Sequence, residues 1–568
     1  MQGLSVDEKA LLQILTVLKN LGEDGHDFHD ARRTWCPDWN ECYEEEVTES
    51  NLELKAQSAK QILLRLKSAR KALETMSSSL ENVFEIVTER STESIRSAGF
   101  SSLPDDLLAR VFELHHEDVM ANTGSGTGMA SVSTSNVLAQ VCRRFRRIAL
   151  HIPKLWEDIC NYHRNDWILN LKGRCEHPVV FIAYDIASGS AEESIANLLQ
   201  IVHPANQWRA LEARFTDRSH GHDFFERITT MSKGDLRILE ILNIFHDWDR
   251  CTTQIDTVKY DDTEAHYRGI DDNCGTNFSE VDSALFSQWN LPKLKCLRIE
   301  NFIPSRVNCS NLVECNLELS FQGDDFNWDL RALKIFLQSI VSVEKLKFSL
   351  WNARTRTEYM LPEGSKQIRF ECLKFLTIEV GGNTDENLLW GLTDMMDLTT
   401  VTDLDILMVI RTKKWYDDDP PLEYSKPAKF LNAIFAFPSN RREETGRVFK
   451  FPNVETLRLD LKEEGQDVPF DKIFEAVPRT RDLSLELPHC GGPDVSQNLP
   501  PCKNLRNVCF TNCTSFSKAE VMRFFKNRGE EGDWEISSIQ RIEIEGCNAL
   551  KDHKDDFKKI FGDKLVWE

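Results

Sequence analysis

The sequence predicts a mixed α/β architecture in which N-terminal helices are followed by a curved solenoid of strand-helix units. Three observations carry this. One apolar phrase recurs along residues 161–568, a heptad-like seam runs from Ala59 to Val87, and two short amphipathic segments lie between them.

The phrase is an apolar residue, two others, an apolar, one other, an apolar. It reads LKCLRI (Leu294, Leu297, Ile299), VEKLKF (Val343, Leu346, Phe348), LKFLTI (Leu373, Leu376, Ile378) and VTDLDI (Val401, Leu404, Ile406). It returns as VETLRL at Val454, LRNVCF at Leu505 and IQRIEI at Ile539, with weaker copies LRILEI at Leu236, LVECNL at Leu312 and TRDLSL at Thr480. The middle anchors, from Leu239 to Ile542, mostly step by about 25–31 residues or twice that, the period of a leucine-rich repeat. The last two apolar positions alternate with polar ones, as in a strand buried on one side. Helical patterns such as LRALKIFLQSI and FDKIFEAV intervene. LRNVCFTNCTSF and IQRIEIEGCNAL each place a cysteine, Cys513 and Cys547, three residues past the final anchor. This resembles the cysteine-containing class of leucine-rich repeats, which implies that those thiols pack inside the turn as core atoms.

Residues 246–285 and 411–450 interrupt the period. Asp247 and Asp249 lack the glycine and glutamate that a calcium loop needs at its sixth and twelfth positions. Such insertions are either surface loops or the part of a solenoid that binds.

Residues 1–98 read as an N-terminal helical region. Ala59, Ile62, Leu66, Ala69, Leu73, Met76, Leu80, Val83 and Val87 alternate spacings of three and four, a heptad seam over about four repeats. The helix can pack on its own chain, for instance on the amphipathic Leu4 to Leu21 segment, or self-associate. Between them His26, His29, Cys36 and Cys42 fit no common zinc spacing, so no metal is expected.

The formal charge of −22 argues against a nucleic-acid or anionic-membrane surface, because phosphate binding needs clustered cations. Protein partners fit better. The first residues lack a secretory signal and no run approaches a membrane span, so the 16 cysteines are expected to be reduced thiols in cytosol or nucleus.

The segment between seam and repeats opens with LPDDLLARVFEL, Leu103 to Leu114, a helix begun by Pro104 with Asp105 and Asp106 complementing its dipole. ANTGSGTGMASVSTS, residues 121–135, reads as a flexible loop. Its alternate glycines, Gly124, Gly126 and Gly128, do not make a nucleotide-binding spacing. Then VLAQVCRRFRRIAL reads as a helix with Leu138, Val141, Cys142, Phe145, Ile148 and Ala149 on one face, stopped before Pro153 and followed by Leu155, Trp156 and Ile159. Arg143, Arg144, Arg146 and Arg147 form either a solvated face or a localisation patch.

Taken in order, the Leu-Pro helix, insert, Val-Cys-Arg-x-aromatic-Arg helix and Pro-x-Leu-Trp turn resemble an F-box of the kind common in long fungal proteins. It would span 99–160, with a flexible insert at 115–136. The resemblance implies that Leu103, Pro104, Leu107, Leu108, Val111 and Phe112 face a Skp-type adaptor. Val141, Cys142, Phe145, Ile148 and Trp156 would complete the fold or the contact. An F-box joined to leucine-rich repeats resembles the substrate receptors of SCF-type cullin-RING ubiquitin ligases, reached through the adaptor and a cullin. No catalysis and no cofactor are implied, and no nucleophile elbow, phosphate loop or H-E-x-x-H motif is present. A target protein would meet the residues alternating with the anchors, including Arg298, Glu300, Lys347, Thr377, Glu379, Arg458, Asp460, Glu486 and Glu543. In the other reading these helices only cap a non-ligase scaffold.

Overall fold

A computed structural model describes residues 52–122, 128–184, 191–215, 218–246, 280–320, 327–355, 366–409, 427–436, 449–462, 468–488, 490–492, 504–526 and 539–567. The Leu4 to Leu21 segment and His26, His29, Cys36 and Cys42 lie outside them. The chain divides into two units, residues 1–111 and 112–568.

In the first unit α1 (Leu52–Ser102) runs unbroken through the whole heptad seam. At 1.5 Å per residue it is about 76 Å long. Leu103, ahead of a proline, is disfavoured in helical backbone, and the helix stops there. A second helix, α2 (Asp105–Asn122), follows with its two acids in the first turn. Arg70 Nε pairs with Glu74 Oε1 at 2.8 Å, a helical i,i+4 contact on the surface.

Among the described residues the second unit holds, beside a separate two-stranded pair, an all-parallel sheet of 14 strands whose order in space is their order in sequence. They are β1 (Asp158–Cys160), β2 (Val179–Ala183), β3 (Ala210–Phe215), β4 (Ile241–His246), β5 (Cys296–Glu300), β6 (Glu314–Ser320) and β7 (Lys345–Trp351). β8 (Phe375–Gly381), β9 (Asp403–Val409), β10 (Thr456–Leu461), β11 (Asp482–Glu486), β12 (Asn507–Thr511), β13 (Arg541–Glu545) and β14 (Leu565–Trp567) complete it. Helices separate most neighbours, a solenoid-like arrangement in which each strand-helix step repeats the last.

The register explains why one phrase suffices. Leu297 lies beside Cys315, Cys315 beside Leu346, then Leu376, Leu404, Leu457, Leu483, Val508 and Ile542 follow in one unbroken row. Every member is buried. A slip of one residue would turn the row to solvent, so burial fixes the pairing.

The weak copy at Leu236 is read three residues early. Leu242, not Leu239, stands beside Leu297, and the strand is ILNIFH. Leu236 and Leu239 are still buried, on the approach to the strand. Three strands before it, β1 to β3, and the last, β14, escaped the sequence reading. In β3 five of six residues are buried, so the polar alternation that marks the other strands is absent.

Strand exits repeat a device. Asn301, Asn352, Gly382, Asn512 and Gly546 each follow a strand with φ between 50° and 64°, a left-handed turn that Asn and Gly tolerate. The Asn352 side chain accepts from the Asn383 backbone N–H at 2.7 Å, which fills the space beside Gly382. Cys513 and Cys547 are buried in the turns that follow. The thiol of Cys513 donates to Leu485 O and that of Cys547 to Phe510 O, each at 3.4 Å, so each hydrogen-bonds the preceding repeat.

The stretch 411–450 is not wholly a surface insertion. Helix Pro427–Phe435 lies in it with a buried face, and Lys450 is buried. Its Nζ donates to Thr393 Oγ1 at 3.0 Å, Ala433 O at 3.3 Å and Ala436 O at 3.2 Å, satisfying carbonyls at that helix end. Burial pulls its pKa down to about 7. The stretch 246–285 begins on buried His246 and ends in helix Glu280–Ser287.

Candidate functional site

α2 is two-faced by arithmetic. Leu108, Phe112 and His116, spaced by four, are all buried. Leu107, Val111 and Leu114 stand out at 50%, 44% and 48% exposure on the helix's other side. The expectation that Leu108 and Phe112 face outward is corrected by their burial. Pro104 is exposed and Leu103 half-buried.

Phe112 is held by an edge-to-face contact with Phe145, ring centroids 4.9 Å apart. His116 Nε2 lies 3.6 Å from Asp158 Oδ2 of β1. Burial, with Lys154 nearby, holds the His116 pKa below its ordinary value. Glu117 pairs with Lys154 at 2.5 Å. Glu157 pairs with Arg209 of the next repeats, and burial pushes its carboxyl up to about 7 despite that guanidinium. The contacts of His116 and Glu117 tie the C-terminal half of α2 to the start of the sheet.

The expected loop after α2 is largely helix. α3 (Gly128–Val141) begins in its glycines and carries the Ser/Thr run, so only 123–127 of the expected flexible insert 115–136 lies outside the described residues. Tertiary packing overrides composition here: Ser135 is fully buried and its Oγ donates to Leu155 O at 2.6 Å. The helix expected to run on from Val137 breaks at Cys142. That residue is extended, at φ −158° and ψ 171°, and its thiol accepts from the Phe145 N–H at 3.4 Å, capping α4 (Arg143–Leu150).

Ile148 and Ala149 are the buried residues of α4. Trp156 is also buried, its indole N–H donating to Ala149 O at 2.7 Å and Arg174 stacking on its ring at 4.9 Å. Ile148 and Trp156 thus complete the fold, Phe145 is half-buried, and Val141 and Cys142 remain exposed. Val137 is as exposed as Val141 one turn on, and Leu150 is exposed at the end of α4. Leu114, Val137 and Leu150 were missed by sequence reasoning. Helical spacing from Leu107 and Val141 would have found the first two.

The open side of the sheet holds the residues expected to meet a target. Register puts Arg298, Lys347, Thr377, Arg458 and Glu543 in one row, and Glu300, Glu379, Asp460 and Glu486 in the next. They pair among themselves and with neighbours: Lys347 with Glu379 at 2.9 Å, Arg458 with Glu486 and Arg298 with Glu318 at 3.9 Å. Asp460 is corrected as a contact residue. It is buried beside Lys462, and burial raises its pKa.

Among the described residues no group of His, Cys, Asp and Glu could hold a metal ion, and no helix is long and apolar enough to cross a membrane.

Comparison with known proteins adds three findings. Residues 100–162 match the F-box-like family. No curated protein matches the chain. Among solved structures, the chain is similar to one described as the crystal structure of Rad7 and Elc1 complex in yeast, at 12% identity and a TM-score of 0.29, over 87% of this chain and 97% of that one. A likeness of that size carries no argument about partners.

Proposed function

We propose that this chain is the substrate-recognition subunit of an SCF-type ubiquitin ligase of the fungal kind, with its F-box-like segment docked on a Skp-type adaptor, and through it a cullin. Its leucine-rich-repeat solenoid holds a target protein, and catalysis belongs to other subunits. The receptor contributes proximity, raising the effective concentration of a target lysine near a charged conjugating enzyme.

One observation carries the reading. Within a segment that matches the F-box-like family, α2 spends one side on internal packing and leaves Leu107, Val111 and Leu114 to solvent. Exposed apolar side chains in such a row serve an apolar partner surface better than they serve water. Val141, already expected, and Val137 and Leu150 are further exposed candidates on α3 and α4.

The experiment is capture of a purified Skp-type adaptor by the full chain and by Leu107→Asp with Val111→Asp, both exposed positions. Capture weakens by about a hundredfold or more with the melting temperature unchanged. The buried set Leu108, Phe112, Ile148 and Trp156 favours a second reading, a helical cap on a scaffold without ligase partners. There the unaltered chain binds no adaptor.

A further inference from the structure

α1 is a 51-residue helix whose heptad seam is exposed towards its C-terminal end: Leu80 is 72% exposed and Val83 56%. We propose that a second copy of this chain docks on this seam as an antiparallel two-stranded coiled coil. The inference is independent of the adaptor reading.

Two features of α1 name the occupant and its direction. The first is charge. Between residues 54 and 73 stand Lys55, Lys60, Arg65, Lys67, Arg70 and Lys71 with no acid, inside a chain of net charge −22. Between 74 and 93 stand Glu74, Glu81, Glu85, Glu89 and Glu93 with Arg90 alone opposing them. A parallel pair would lay basic half on basic half, and its flanking heptad positions would set Arg65 of one copy against Arg70 of the other. Reversing one helix lays the basic half along the acidic half and takes Arg65 away from Arg70 of the other copy.

The second is register. In the reversed arrangement Ile62 falls level with Val87, Leu66 with Val83, Ala69 with Leu80 and Leu73 with Met76, each made twice by the two-fold axis. The seam is therefore self-complementary, as an isologous interface requires. The same register brings the exposed Leu63 and Phe84 together at flanking positions. A parallel dimer would place Leu63 elsewhere.

The test is sedimentation velocity on the full chain. A dimer is expected whose dissociation constant rises with salt, because the aligned halves attract. Leu80→Asp with Val83→Asp yields monomer while helical circular dichroism and adaptor capture are kept. Reversing Lys60, Arg65, Lys67 and Lys71 to Glu weakens the dimer, more at low salt than at high, and adding Glu81→Lys, Glu85→Lys and Glu89→Lys restores it. A monomeric unaltered chain, a dimer indifferent to the Leu80 and Val83 changes, or a dimer tightened by the first reversal alone would overturn the proposal.

Discussion

Gly382 leaves β8 at φ +61°, and a Cβ there would sit 2.1 Å from Asn352 Oδ1. Gly382→Ala therefore combines backbone strain with a clash and should destabilise the repeat by about 1–3 kcal/mol, measured by urea unfolding. Lys450 is a different kind of residue-scale prediction. Its folded pKa, about 7, lies below the ordinary 10.5, so from pH 7 to 10.5 the unfolded chain holds a proton that the folded one lacks. The buried lysine's contribution to stability accordingly grows as pH rises through that window and is lost as pH falls back to 7. Melting temperatures at pH 7 and 9.5 should show a gain in the unaltered chain that shrinks in Lys450→Met. None of this was legible in the sequence, since Lys450 looked like part of an insertion. Similarly, Leu107 and Leu108 are indistinguishable by type. Leu108 is buried and Leu107 half exposed, a difference set by which way α2 turns and not by residue type.

At the scale of elements, what was legible followed from period. The heptad seam gave a continuous α1, and the apolar phrase placed ten strands, one of them shifted by three residues because Leu236 and Leu239 imitate its spacing. The Gly/Ser/Thr stretch misled for a stated reason: its helix is held by partners distant in sequence rather than by propensity. Ser135→Ala leaves the buried Leu155 carbonyl without its donor and should cost about 1–3 kcal/mol. Were the stretch a solvated loop, the substitution would be neutral in the same denaturation assay. Cys142 divides a run of apolar positions that reads equally well as one helix, and only its extended backbone shows the break.

For the whole molecule, the sequence order of the strands is their order in the sheet, so repeat counting alone captured the solenoid, while its ends did not follow the phrase. β1 and β14, three residues each, are too short to display it. The open face mixes cations with a larger number of carboxylates, and its ion pairs are partly solvated. Under the proposed receptor role, substitutions at Arg298 or Lys347 should change target association rate and salt dependence before they change stability. The central claim, that residues 100–162 engage an adaptor through side chains the chain itself leaves open, is tested most directly by amide hydrogen exchange on the full chain with and without a purified Skp-type adaptor. The predicted result is saturable protection confined to α2, α3 and α4. Unchanged exchange there at saturating adaptor would contradict it.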